Sequence, residues 1–400
     1  MKISLISRSD CEGGAAKAAY RLHNALNNSG AQSELLVVNR SLQDSSIKSI
    51  SRFARLSNSI GLACSNLISK KFSVNKFGLK SLNLIGSRVL GLIADDCDIV
   101  NIHWINQETL SIKQISRIRK PVVITLHDMW LFCGSEHYTE SDYYIEGIES
   151  EIIYLDRLLI AYKKEQLSQN IVIVTPSKWL TDCAMRSKVL SKHRIYTIPN
   201  TLNTDIFKKN DQIESRRILN LPQKEIIIGF GAVGGIFDKR KGFYELISAL
   251  KGIRKDIKFK CVVFGQSEPV IVKELECEFI SFGTVKDDYT LSLLYNAFDV
   301  MVVPSRLEAF GQTASESICC GTPVVAFLYS GLIDIVENKV TGYLAEPYNS
   351  ADLCRGIEWC LNDSDQELLL KASKEKSKTW SEDIVASKYK EIFRKEIANE

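Results

Sequence analysis

"DVMVVPSRLEAFGQTASESICCGTPVVAF", residues 299 to 327, reads as a strand, a glycine-bearing loop, a helix and a second strand. The first apolar run closes at Pro304 and Ser305, Gly321 and Pro323 stop the helix, and Val324 to Phe327 begins the next run. Glu308 lies in the loop with Phe310 and Gly311, and Glu316 follows eight positions later. Thr313 and Glu316 have the spacing of a capping box, which would give Glu316 a purely local role. That leaves Glu308 unexplained. A strand, a glycine loop and a fresh helix N-terminus present amide N–H groups and a positive dipole end at the carboxyl edge of a sheet, where phosphates bind. The stretch predicts a phosphate-bearing ligand.

Outward from it, short Val- and Ile-rich runs alternate with helix-length segments. "KISLIS", "SELLVVN", "CDIVNIHW", "PVVITLHD" and "NIVIVTPS" come first, and after "YTIPNTLNTDIF" the pattern restarts with "EIIIGFGAV", "FKCVVFG", "FISFGTV", "FDVMVVPS" and "TPVVAFL". Such alternation predicts parallel sheets covered on both faces. We expect two Rossmann-like domains, 1–200 and 201–380, facing a cleft, with a final amphipathic helix at about 381–398. A net charge of +3 over 400 residues gives no electrostatic footprint for nucleic acid. Eleven scattered cysteines without a Cys-x-x-Cys pair fit a reducing cytoplasm better than a disulfide framework or a zinc site. "MKISLISRSD" reads as a first strand and not as a signal peptide, and no uncharged apolar run approaches the roughly 18 residues of a membrane span.

Three more constellations each follow an expected strand. "SRSDCEGGAAKAAYRLHNAL" places Gly13 and Gly14 before a helix, where the backbone can approach an anion. "GAVGGIFDKRKGF" gathers Lys239, Arg240 and Lys241, which reads either as a solvated charge run or as a grip on a diphosphate. "VVITLHDMW" leaves His127 and Asp128 at a strand's carboxyl end; His103 in "NIHW" has a similar place and a weaker case.

Together, "EAFGQTASESICCGTPVVA" with Glu308 and Glu316, the downstream "SGLIDIVENKVTGYL", the upstream "DKRKGF" and the amino-terminal glycine pair resemble the retaining glycosyltransferases of glycosyltransferase family 4. "TLHDMWLFCGSEHY" is similar to a bacterial subgroup that builds surface polysaccharides, of the colanic-acid and O-antigen type, but lacks the extra cysteines that often follow there. The resemblance implies an α/β GT-B fold, with acceptor binding in the first domain and nucleotide-sugar binding in the second. It implies that Glu308 contacts sugar hydroxyls and Glu316 the ribose. Phe310, Gly311, Gln312 and Thr313 would face the diphosphate and sugar, and Arg240 and Lys241 would neutralise the leaving group. Gly13 and Gly14 would approach a phosphate, and His127 would position the reacting sugar. No metal and no other cofactor is implied. The usual family Arg near the start of the loop after "GFG" is replaced here by Ala232.

The function expected is transfer of a sugar from a nucleotide diphosphate donor to a saccharide acceptor, read as lipid-linked, in O-antigen, capsule or exopolysaccharide synthesis. A GT-B sugar-nucleotide epimerase and a non-catalytic nucleotide-sugar-binding module are the alternatives. One further segment bears on location. From Ser45 to Ala94 there is no Asp or Glu, while Lys48, Arg52, Arg55, Lys70, Lys71, Lys76, Lys80 and Arg88 are interleaved with apolar residues such as Phe53, Leu56, Ile60, Leu67, Phe72 and Phe77. Sequence of this kind fits either a solvated helical face or a surface for anionic lipid on the inner face of the bacterial inner membrane.

Overall fold

The computed structural model describes residues 1–71, 80–148, 154–231, 238–265 and 277–399, of which 69–71 by backbone alone. Phe72, Lys76, Phe77 and Ala232 lie outside the described residues.

β1 (Lys2–Ser9), β2 (Gln32–Asn39), β3 (Ile47–Ser49), β4 (Ile99–Ile102), β5 (Val122–Thr125), β6 (Val172–Thr175) and β7 (Arg194–Thr197) pair in the order β3-β2-β1-β4-β5-β6-β7. Every pairing is parallel. The central strands β4, β5 and β6 are buried along their whole length, as a sheet covered on both sides requires. The connecting helices are α1 (Gly14–Asn28), α2 (Arg52–Lys71), α3 (Ile112–Ile115), α4 (Tyr154–Gln166) and α5 (Lys178–Arg186).

The second sheet holds β8 (Ile226–Gly231), β9 (Phe259–Phe264), β10 (Glu278–Ser281), β11 (Val300–Val303), β12 (Val324–Phe327) and β13 (Gly342–Ala345), in the order β10-β9-β8-β11-β12-β13 and again all parallel. Its helices are α6 (Gln212–Ile218), α7 (Phe243–Gly252), α8 (Asp288–Ala297), α9 (Gln312–Cys319), α10 (Leu332–Ile335), α11 (Ser350–Glu358) and α12 (Gln366–Lys378). Two apolar clusters fill its core: Leu294, Met301 and Ile318 belong to one, and Leu246, Val302 and Leu353 to the other.

The chain forms two compact units, Met1–Thr201 with Glu382–Glu400, and Leu202–Ser381. The helix α13 (Glu382–Ala398) contributes Val385, Ala386, Tyr389 and Phe393 to the apolar core built by Leu5, Leu22, Leu26 and Val37 of the first unit.

Both sheets have a point where strand order reverses: β1 beside β4 in the first, β8 beside β11 in the second. In open parallel sheets a ligand sits outside the carboxyl ends of the strands at that point. The loops to inspect are therefore those after β1 and β4, and those after β8 and β11.

Candidate active site

The loop after β11 carries Glu308 back against the "KRKG" turn. Asp238 caps this short 3-10 turn by accepting from the Arg240 N–H at 3.0 Å. Gly242, at φ 72°, lies so close to the Pro304 carbonyl that any Cβ there would overlap it. The Arg306 N–H also donates to the Arg240 carbonyl at 2.8 Å. Two loops far apart in sequence are thus fixed together at the reversal of the second sheet.

Within that pair, Lys241 Nζ meets Glu308 Oε1 at 2.5 Å, Ser305 Oγ donates to the same oxygen at 3.0 Å, and Arg240 Nη1 lies 3.6 Å from it. Arg240 also donates to the Leu307 carbonyl at 2.9 Å and to Asp238 at 3.0 Å. Burial pushes the Glu308 carboxyl up, but the charges of Lys241 and Arg240 and the two hydrogen bonds outweigh it, and the group is held below its ordinary value. Burial lowers Lys241 too; Arg240 adds to the effect, and Glu308 opposes it. Asp238 balances Arg240 as Glu308 balances Lys241, so an anion entering here would displace a carboxylate from its cation.

The far side of the Glu308 loop is latched by the "YSG" turn after β12. Ser330 Oγ accepts from the Glu308 N–H at 3.0 Å, and the Gly331 N–H donates to the Glu308 carbonyl at 2.8 Å. A Cβ at Gly331 would strike the Ala309 carbonyl. The opening residues of "SGLIDIVENK" therefore hold Glu308 in place, a role its sequence alone did not reveal.

Gly311, at φ 102°, is the N-cap of α9, and the first helical residues are Gln312 and Thr313. Thr313 thus lies inside the first turn, and the Thr313–Glu316 capping box does not form. Glu316 sits deeper in the helix, where it is buried and its Oε2 accepts from the Tyr295 hydroxyl of α8 at 2.6 Å. Phe310 is buried and packs edge-on to Trp380 at 6.3 Å, so its backbone and not its ring is the part that can serve a ligand. Gly321 closes α9 with the paired bonds of a Schellman turn, Gly321 N–H to Ile318 and Thr322 N–H to Ser317.

In the first unit, Gly13 at φ 85° is the N-cap of α1, and Gly14 is its first residue, directly after the carboxyl end of β1. His127 follows β5, and its Nε2 lies 2.9 Å from His103 Nδ1, the rings stacked at 5.2 Å. His103 Nε2 lies 2.9 Å from Asn101 Oδ1, while the Asn101 amide donates to Thr125 Oγ1 and to the Val123 carbonyl, both at 3.1 Å. Thr125 Oγ1 in turn lies 3.2 Å from the Tyr389 hydroxyl of α13. These partners assign the protons. Asn101 Oδ1 can only accept, so His103 carries its proton on Nε2; its Nδ1 accepts, so His127 carries its own on Nε2. Burial lowers His127 to about 4, against the pull of Asp128, and lowers His103 as well. His127 is a neutral ring with its lone pair on Nδ1.

Asp128 belongs to a different network, accepting from Trp104 Nε1 at 2.8 Å and His137 Nδ1 at 2.7 Å, with Ser81 Oγ 2.9 Å from His137 Nε2. The "MWLFCGSEH" loop that follows is fastened by α4. Lys163 Nζ donates to the carbonyls of Trp130, Cys133 and Gly134 at 2.5, 2.8 and 2.7 Å, and lies 3.8 Å from the Trp130 ring centroid. Asp156 accepts from the Ser135 N–H and hydroxyl, both at 2.7 Å. A buried ammonium and a carboxylate thus fix a loop in which sequence reasoning looked for cysteines. Lys163→Met leaves three buried carbonyls without a donor, so we expect a loss on the order of 3 kcal/mol and a melting temperature lower by roughly 10 °C. A calorimetric scan within 2 °C of the parent, a margin of about 0.6 kcal/mol, would show that the loop does not depend on this clamp.

The sequence contains two Asp-x-Asp pairs. Asp96 and Asp98 bind Lys2 before the amino end of β4, and Asp365 N-caps α12. Neither pair lies at a strand's carboxyl end.

Two parallel Rossmann-like sheets in this arrangement are the GT-B architecture, and the comparisons agree. A sucrose-phosphate synthase of Thermosynechococcus elongatus superposes over 100% of both chains with a TM-score of 0.70 at 20% identity. The Anabaena protein HepE, solved with UDP and glucose, covers 98% of this chain and 99% of its own with a TM-score of 0.65 at 16% identity. Residues 211–379 match the family described as glycosyl transferases group 1, so the second unit carries a domain of that kind. In sequence, the chain is 28% identical to an uncharacterised glycosyltransferase of Methanocaldococcus jannaschii over 68% of its own length and 69% of that protein's. It is 27% identical to the lipopolysaccharide 1,2-N-acetylglucosaminetransferase of Salmonella typhimurium over 58% of its length and 65% of the relative's.

Proposed function

We propose that the protein is a retaining, metal-independent glycosyltransferase of the family 4 type, moving a sugar from a nucleotide diphosphate to a lipid-linked saccharide in bacterial surface-polysaccharide synthesis. The observation that carries this reading is the Arg240–Lys241–Glu308 cluster, Arg240 and Glu308 buried and Lys241 partly so, at the strand reversal of the second sheet, next to the N-terminus of α9. As the bond from the anomeric carbon to the phosphate oxygen breaks, negative charge grows on the diphosphate, and Arg240, Lys241 and the α9 amides meet it with groups already in place. The acceptor oxygen bonds to the same face of that carbon, and its proton passes to the departing phosphate oxygen. Glu308, relieved of Lys241 by the incoming diphosphate, turns to the sugar hydroxyls, and Glu316 takes the ribose. In the first unit the same reading gives Gly13 and Gly14 a phosphate and gives the Nδ1 lone pair of His127 a sugar hydroxyl.

The Salmonella relative's lipopolysaccharide acceptor and the UDP held by HepE support the choice of acceptor and donor class. Calorimetric titration with nucleoside diphosphates and their sugars tests it. Donor converted to an epimer in the absence of acceptor, or activity lost to EDTA and restored by a divalent ion, would overturn the mechanism. For the ribose assignment, Glu316→Gln should weaken donor binding about tenfold or more, the scale of a charge-assisted hydrogen bond, with the fold intact. Donor affinity equal to the parent's would remove Glu316 from the site.

A further inference from the structure

Helix α2 is packed with the wrong residues outward. Ala54, Asn58, Gly61 and Ser65 recur at helical spacing and form the buried face. That face is hydrogen-bonded: Asn58 accepts from Arg8 at 2.6 Å and donates to the Glu108 carbonyl, and Ser65 donates to the Glu108 carboxylate. The opposite stripe carries Phe53, Leu56, Ile60 and Leu67, exposed at 74, 62, 62 and 71%. An ordinary surface helix buries such side chains and shows its small polar ones. Leu84 and Ile85 are exposed as well, and the Ile85 side chain lies against Gly61 on the opposite, buried face of α2.

From this we infer that α2 docks the protein on an anionic lipid surface, lying in the interface with Phe53, Leu56, Ile60 and Leu67 among the acyl chains. Charge decides between lipid and a second copy of the chain. Arg52 and Arg55 flank the stripe, and no acidic residue occurs between Ser45 and Ala94. A two-fold contact through α2 would set this basic patch against itself, whereas anionic headgroups complement it. Of the other basic residues in the segment, Lys48 is paired with Glu34. The inference deepens the proposal of a lipid-linked acceptor, but its test contains neither donor nor acceptor, so the two fail separately.

The experiment mixes the full chain with phosphatidylcholine vesicles, with and without phosphatidylglycerol, and reads sedimentation and amide hydrogen exchange. We expect sedimentation with the anionic vesicles only, reversed by salt, and slowed exchange over 52–68. Phe53→Ser with Ile60→Ser and Leu67→Ser should cut partitioning by more than about 100-fold. Arg52→Gln with Arg55→Gln should cut it by about 30-fold. The apolar changes touch solvent, so the melting temperature should match the parent's. Partitioning unchanged in the triple variant overturns the inference. So does exchange over 52–68 that slows with protein concentration in the absence of lipid, the mark of a second copy seated there.

Discussion

Lys241→Met is expected to slow sugar transfer by about 10²–10³-fold, the usual effect of removing one group that meets charge developing in a transition state. Lys241 is the right probe because it can leave without dismantling the site. Arg240 holds the Leu307 carbonyl and Asp238, so its loss would move the loop, whereas without Lys241 the Glu308 carboxylate still has Ser305 at 3.0 Å and Arg240 at 3.6 Å. The charge on the diphosphate is larger when the sugar has begun to leave than when the donor is merely bound. Turnover at saturating donor should therefore fall much further than affinity for the intact donor. Steady-state rates beside calorimetric dissociation constants make the comparison. A turnover within threefold of the parent's, a barrier change below about 0.7 kcal/mol, would mean that Lys241 serves only its ion pair.

Glu308→Gln should give the opposite split. In this structure the carboxylate is the counter-charge for Lys241. A neutral amide leaves two cations without it, and a nucleoside diphosphate then supplies what is missing, so product should bind about tenfold tighter or more. Transfer should fall at least about tenfold, because the sugar hydroxyls lose a charged partner. Tighter product binding with slower turnover is not what a damaged loop produces, since damage weakens both. Product affinity that stays level or drops would show that Glu308 does not compete with the diphosphate for Lys241.

The parallel two-sheet fold was legible because the inner strands are apolar on both faces and so write continuous Val and Ile runs. The strands that escaped notice, β3, β7 and β13, are all at sheet edges, short and partly exposed, and leave no such signature. The candidate site was readable where chemistry is local: Glu308, Gly311 and the basic triplet each stand beside a strand end. It was unreadable where one residue depends on another far along the chain. Nothing around Glu316 names Tyr295, nothing around His127 names Asn101 or Tyr389, and the spacing of Thr313 to Glu316 fits a capping box until the structure puts Gly311 at the N-cap. The same holds for Lys163, which looks like a surface lysine in "AYKKEQ" and ends fully buried under three carbonyls.

The return of α13 to the first unit sets an order of assembly during synthesis. Leu202–Ser381 is continuous in the chain, so the second unit can fold as soon as its residues leave the ribosome. The first unit cannot finish then, because Val385, Tyr389 and Phe393 fill its core and are made only after the whole second unit. The usual rule that the amino-terminal domain matures first is therefore reversed here. Until α13 arrives, the nascent first unit carries an uncovered apolar face, at the rates of translation for about ten seconds or more. The hydrogen-bond chain ending at His127 lacks its Tyr389 terminus for the same interval, so α13 completes both the core and the polar relay.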